Sequence, residues 1–240
     1  GYGMYPAMIK TALKFSGNDE YMNRLLNVMY YYFSGVVLRL KIPMTDKPEQ
    51  LINEAYALQQ KAFSLEQKAA YIYNELGVLL LYKNKLNESR EQFLTATKLS
   101  PAWSIPWSNL ILVNTLLKDL AASKSAFENA VKLQPGLSNN YVNAGVLFEN
   151  QKNLLLAEEN FRKSIELNSR HFLPFERLAY VFLQTNRFAL ADSFFFEADI
   201  RKRGYHFISE PHKFISPLAN EVLANLQPCK FDTSKIKKND

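Results

Sequence analysis

The sequence predicts an all-α fold of stacked helix pairs, and three observations carry that prediction. Landmarks recur at one fixed step, which carries Phe93 to Phe127, Ala96 to Ala130 and Pro101 to Pro135. A constant spacing of about 34 residues marks a stacked-repeat architecture. The step continues to Ala144-Gly145, Ala157, Phe161 and Ser164, then to Leu178-Ala179, Ala191, Phe195 and Ala198. Within each copy, small, aromatic and small residues follow one another at helical spacing, as in a helix that lets a neighbour come close. Composition agrees: the 240 residues are 48% hydrophobic and 13% aromatic with 8 glycines and 10 prolines, which gives ample core material and few helix breakers.

Along the chain, Tyr5 to Phe15 reads as a short helix. Asn18-Asp19-Glu20 supplies a cap and dipole-favoured acids ahead of Leu25, Leu26, Met29, Phe33, Val36, Val37 and Leu40, predicting a long helix from about 19 to 40. Its uncharged run, Leu25 to Leu38, is shorter than the roughly 20 residues of a membrane span, so a buried helix is expected there. Asp46 and Glu49 have capping-box spacing around Pro48 and open a helix over 48–65. One step back along the repeat, Ala55 and Ala62 take the small positions and Gln59 the aromatic one. Residues 1–69 are therefore expected to be amino-terminal helices that include a degenerate capping repeat.

Four full copies follow, over 70–103, 104–137, 138–171 and 172–203. Gly77, Gly145 and Ala179 lie in the first helix of their copies, where the second helix must approach. Ser89, Ser123, Ala157 and Ala191 answer from that second helix, as do Ala96, Ala130, Ser164 and Ala198 further along it. Phe93, Phe127, Phe161 and Phe195 fill the space the small residues leave. Ile111 breaks the rule, so the second copy is expected to open slightly. Arg201-Lys202-Arg203-Gly204 closes the last copy. Residues 204–227 read as an apolar connector and a capping helix that starts at Ser216-Pro217 and carries Leu218, Val222, Leu223 and Leu226 on one stripe. Residues 228–240 form a basic tail.

The pattern resembles the tetratricopeptide repeat family over residues 70–203, through the Leu76-Gly77, Phe93, Ala96 and Pro101 set and its copies. That resemblance implies a right-handed superhelical solenoid of antiparallel helix pairs and a scaffold that binds a protein or peptide, without catalysis. The first helices of such a stack line its concave face. One column there reads Glu75, Asn109, Asn143 and Arg177, and a second, three residues on, reads Val78, Leu112, Val146 and Tyr180. A polar row beside an apolar row suits a partner segment or helix. Asn109 and Asn143 resemble the asparagine ladder with which the repeats of O-linked N-acetylglucosamine transferase hold a peptide main chain, an amide being both donor and acceptor. The carboxylate clamp for chaperone tails is not expected, because Val78 and Asn139 stand where it would need asparagine and lysine. The alternative role is a structural spacer or oligomerisation module of a larger protein, its groove filled internally.

Other functions find little support. His171, His206 and His212 lack metal-ligand spacing, and a set made of His206, His212 and Cys229 is no better, so neither metal nor cofactor is expected. Glycine-rich phosphate loops and Gly-x-Ser-x-Gly turns are missing from the sequence, and no catalytic constellation is visible. The formal net charge of +6 permits an acidic partner. Yet Arg201, Lys202 and Arg203 gather at a helix end, where the dipole already favours them, so nucleic acid binding is not expected. A single cysteine excludes an internal disulfide and leaves the compartment open. The opening Gly1-Tyr2-Gly3-Met4 lacks a secretory layout and reads as an excised or processed start.

Overall fold

The structure, a computed structural model, describes residues 4–42 and 45–205. These form an all-α solenoid with no strand among the described residues: α1 (Tyr5–Phe15), α2 (Glu20–Lys41), α3 (Pro48–Leu65), α4 (Ala70–Tyr82), α5 (Leu86–Leu99), α6 (Ser104–Leu116), α7 (Leu120–Leu133), α8 (Ser138–Asn150), α9 (Leu154–Leu167), α10 (Leu173–Gln184) and α11 (Phe188–Tyr205). From α4 onward the helices pair in chain order, and each second helix also packs on the first helix of the next pair. The expected connector, capping helix and basic tail, 206–240, lie outside the described residues.

Every pair from α4 onward turns the same way. Asn84, Lys118, Lys152 and Asn186, at equivalent positions of successive pairs, all have φ between 56° and 61°. The amide of the next residue then bonds back to the helix: Lys85 N to Leu80 O and Asp119 N to Asn114 O at 2.9 Å, with Asn153 to Phe148 and Arg187 to Phe182 alike. This is the Schellman ending, in which one left-handed residue satisfies the last carbonyls and reverses the chain. Asparagine accepts that conformation readily, whereas lysine carries a strain of roughly 1 kcal/mol or more at each site.

The pairs hold together through the small residue facing the phenylalanine. A Cβ on Gly77 would lie 2.6 Å from Phe93 Cε1, and one on Gly145 would meet Phe161 still closer. Both rings are fully buried. Where isoleucine or alanine stands in place of that glycine, the ring is less deeply buried. Phe127, opposite Ile111, is only partly buried and sits edge-on to Tyr141, 6.1 Å between centroids. Phe195, opposite Ala179, is also only half-buried and stands edge-on to Tyr180 at 5.1 Å. The four rings therefore do not share one niche, which corrects the expectation of equivalence. Ser89 and Ser123 add a cross-helix bond, each donating its hydroxyl to the carbonyl of Gly77 (2.8 Å) or Ile111 (2.7 Å).

A second periodic device anchors the turns between pairs. Tyr73 Oη donates to Gln67 O at 3.1 Å, Trp107 Nε1 to Pro101 O at 3.4 Å and Tyr141 Oη to Pro135 O at 3.0 Å. The fourth position is Phe175, which has no donor. Arg201 takes its place: the guanidinium stacks 3.7 Å from the Phe175 ring centroid and Nε donates to Ser169 O, the matching carbonyl. Arg201 also pairs with Glu197, and Lys202 pairs with Glu176.

The pair α2 and α3 repeats the niche with different residues. Gln59 is fully buried opposite Gly35, between the buried Ala55 and Ala62, and its Nε2 donates to Tyr32 O at 2.9 Å. One local expectation is corrected here. Asp46 does not cap α3; Lys47 is the N-cap, Pro48 fills the first turn, and Thr45 Oγ1 accepts from Lys47 N at 3.1 Å.

Two outcomes are expected. Gly77→Ala should lower stability by about 1–3 kcal/mol in chemical denaturation, since overpacking outweighs alanine's better helix propensity. Arg201→Ala should cost about 1–2 kcal/mol, and Phe175→Tyr in the same chain should recover part of it by restoring a hydroxyl donor to Ser169 O; thermal melts of the two variants check this.

Candidate functional site

The first column of the inner wall is engaged between repeats. Glu75 on α4 is buried and pairs with Arg39 of α2. Asn109 Nδ2 on α6 donates to Asn74 Oδ1 on α4 at 2.9 Å, and Asn143 Nδ2 on α8 donates to Ser108 O on α6 at 2.8 Å. Arg177 on α10 faces Glu149 of α8 at 3.5 Å, and Gln184 Nε2 reaches the same carboxylate at 3.3 Å. Each member thus reaches back to the preceding first helix. The column is a polar staple that runs from α2 to α10, and its partners are what the sequence reading missed. A signal for two of them lay one residue earlier, where polar Asn74 and Ser108 fall at positions that the pattern makes buried.

The second column is apolar and only partly covered. Val78, Leu112 and Tyr180 are half-buried, and Val146 is 4% exposed on α8, which lies directly against α6. Three of the eight candidate positions, Glu75, Val146 and Arg177, are therefore closed to a partner in this structure: all three are buried, and Glu75 and Arg177 sit in ion pairs. Val78, Leu112 and Tyr180 remain accessible on their helices, with Asn109 and Asn143 half-buried beside them.

Burial raises the carboxyls of Glu75 and Glu149 above their ordinary 4.5, against the opposing pull of Arg39 and Arg177. Burial likewise raises the Tyr180 phenol. Among the described residues no three His, Cys, Asp or Glu side chains gather where they could hold a metal ion. His206, His212 and Cys229 lie outside the described residues. Among the described residues, no helix is long and apolar enough to cross a membrane. The basic cluster at the end of α11 is engaged as well, through the contacts of Arg201 and Lys202.

Helix pairs that recur at one constant step, each setting an aromatic of its second helix against its first, define a helical-repeat scaffold. Residues 70–102 and 138–171 match the tetratricopeptide repeat model. These two segments are tetratricopeptide repeats. Such repeats mediate protein–protein interaction as a class. The chain is 28% identical over 153 residues to the UDP-N-acetylglucosamine–peptide N-acetylglucosaminyltransferase of Giardia intestinalis, a match covering 62% of this chain and 10% of that protein. It is 34% identical over 70 residues to the chloroplastic tetratricopeptide repeat domain-containing protein PYG7 of Arabidopsis thaliana, covering 29% of this chain and 23% of that one. The chain thus spans less than a quarter of the length of either relative. Among solved structures, a thermophilic tetratricopeptide repeat protein of Thermus thermophilus superposes with a TM-score of 0.63 at 15% identity, covering 71% of this chain and 89% of that one. The pilF protein of Pseudomonas aeruginosa gives 0.59 at 17% identity, covering 74% and 78%.

The buried carboxyls set a pH dependence. A carboxyl whose folded value is raised contributes stability that is whole below its unfolded value and is lost as pH climbs through the folded one. For Glu75 and Glu149 that loss begins near pH 4.5 and proceeds upward. The variant Glu75→Gln with Glu149→Gln should lack this decline, so its melting temperature should gain on the wild type as pH rises from acid towards neutrality.

Proposed function

We propose that the chain is a non-catalytic adaptor whose concave wall of first helices holds a segment or helix of another protein. Val78, Leu112 and Tyr180 receive the partner's apolar side chains, and Asn109 and Asn143 border them, their carbonyl oxygens turned to a partner's N–H groups. Glu75, Val146 and Arg177 stand behind this row and keep neighbouring helices in register. The observation that carries the reading is the apolar row itself, partly exposed on three of four equivalent helices at the same repeat position. Isolated surface leucines or valines need no explanation, but a periodic row along one wall does. The amide nitrogens of the asparagines are engaged by the preceding repeat, so apolar contact leads and polar contact orients.

The test is affinity capture with wild type and with Leu112→Asn plus Tyr180→Asn, followed by direct titration of the captured partner. A loss of about tenfold or more in affinity with a melting temperature close to wild type is expected. Unchanged affinity would remove the groove from this role.

A further inference from the structure

Successive first helices are joined in two different ways. From α4 to α8 one apolar cluster runs through the stack: Val78 and Leu81 of α4 pack against a core that includes Leu110 and Val113 of α6 and Leu147 of α8. Among the described residues, none from α10 belongs to it. Between α8 and α10 the inner wall is closed by polar side chains instead. Arg177 Nη1 lies 3.5 Å from Glu149 Oε2, and Gln184 Nε2 donates to Glu149 Oε1 at 3.3 Å. The Arg177 and Glu149 side chains are only 3% and 6% exposed, yet those two facing atoms have no hydrogen-bond partner among the described residues. The other links of the column are direct hydrogen bonds, Arg39 to Glu75, Asn109 to Asn74 and Asn143 to Ser108.

The outer side of the same joint is fastened through α9. The guanidinium of Arg162 lies 5.5 Å from the ring centroid of Phe182 on α10 and 5.9 Å from that of Phe194 on α11. Glu158 pairs with Arg187 at the turn between those helices, and Arg201 of α11 donates to Ser169 O at the turn after α9. We infer that the last pair, α10 with α11, pivots on α9, and that the inner wall parts between α8 and α10. Charges taken out of water lose much of their attraction to the cost of desolvation, so this pair holds the joint weakly, whereas an apolar cluster resists parting with all its buried area. Opening also returns to water two charged groups that the closed wall leaves incompletely bonded. Elements fastened on one side and lightly joined on the other move as a hinge. Tyr180 lies one turn beyond Arg177 on α10, so the pivot sets its separation from Val78 and Leu112. The motion follows from the contacts between repeats and stands apart from what the groove holds.

The test is a pulsed electron-spin distance measurement on the full chain, with Cys229→Ser removing its one native thiol. Nitroxide labels at Ile105→Cys and Leu173→Cys span two repeats across the α8–α10 joint. Labels at Tyr71→Cys and Asn139→Cys span two repeats at the same repeat position without crossing it. The distance distribution of the first pair should be about twice as broad as that of the second. Glu149→Leu with Arg177→Leu makes the joint apolar and should narrow the first distribution to the width of the second, with an unchanged circular dichroism spectrum. If the leucine variant does not fold, Glu149→Gln with Arg177→Met is read by the same criterion. Equal widths for the two label pairs in the otherwise native chain overturn the inference. So does a broad first distribution that the folded variant leaves unchanged, since the motion then arises elsewhere.

Discussion

The fold depends on one repeated contact, an aromatic ring seated over a position that has no side chain. Gly77 and Gly145 let α5 and α9 approach until Phe93 and Phe161 lose all contact with solvent. Full burial of a phenylalanine is worth about 2–3 kcal/mol, and the close approach also brings the flanking alanines and serines into contact. The consequence of withholding that approach is visible in the same molecule. Opposite Ile111 and Ala179, Phe127 and Phe195 are displaced to meet Tyr141 and Tyr180 instead. The second pair then relies on a wider cluster of Phe93, Leu110, Val113, Ala126 and Leu147, which spans three repeats.

Several polar groups around that contact bond to nearby backbone carbonyls. The hydroxyls of Ser89 and Ser123 bond the carbonyls nearest the niche, and Asn140 Nδ2 bonds the carbonyls of Ala130 and Gln134 at the turn before α8. The staple from Arg39 to Gln184 joins successive first helices, which touch only sparsely between α4 and α6 and between α8 and α10. Buried ion pairs contribute less to net stability than to the choice of one arrangement, because desolvation offsets much of the attraction. For function this matters directly. Groups that could have held a partner's main chain instead hold the next repeat, and the wall they leave is mainly apolar.

Charge follows the same logic. The formal net charge of +6 suggests an acidic partner until the cations are located. Arg24, Arg39, Arg177, Arg187, Arg201 and Lys202 each pair with a carboxylate on the same or a neighbouring helix. Arg201 has a further duty, standing in for the hydroxyl that Phe175 lacks.

The sequence by itself determined the helix pairs, their order and their period, because one step shared by several small and aromatic positions admits no other local structure. It also exposed the Ile111 irregularity, since a branched side chain at a close approach must push something aside. Tertiary structure alone decided where displaced rings went, which polar side chains met, and which candidate residues remained open. A fixed period identifies equivalent positions but not the direction each side chain takes, and the partners of Glu75, Asn109, Asn143 and Arg177 lie about a whole repeat away on the preceding first helix. Whether such a residue faces a groove or a neighbour depends on how closely adjacent pairs pack, and that distance is set by the sum of all the niches rather than by any one of them.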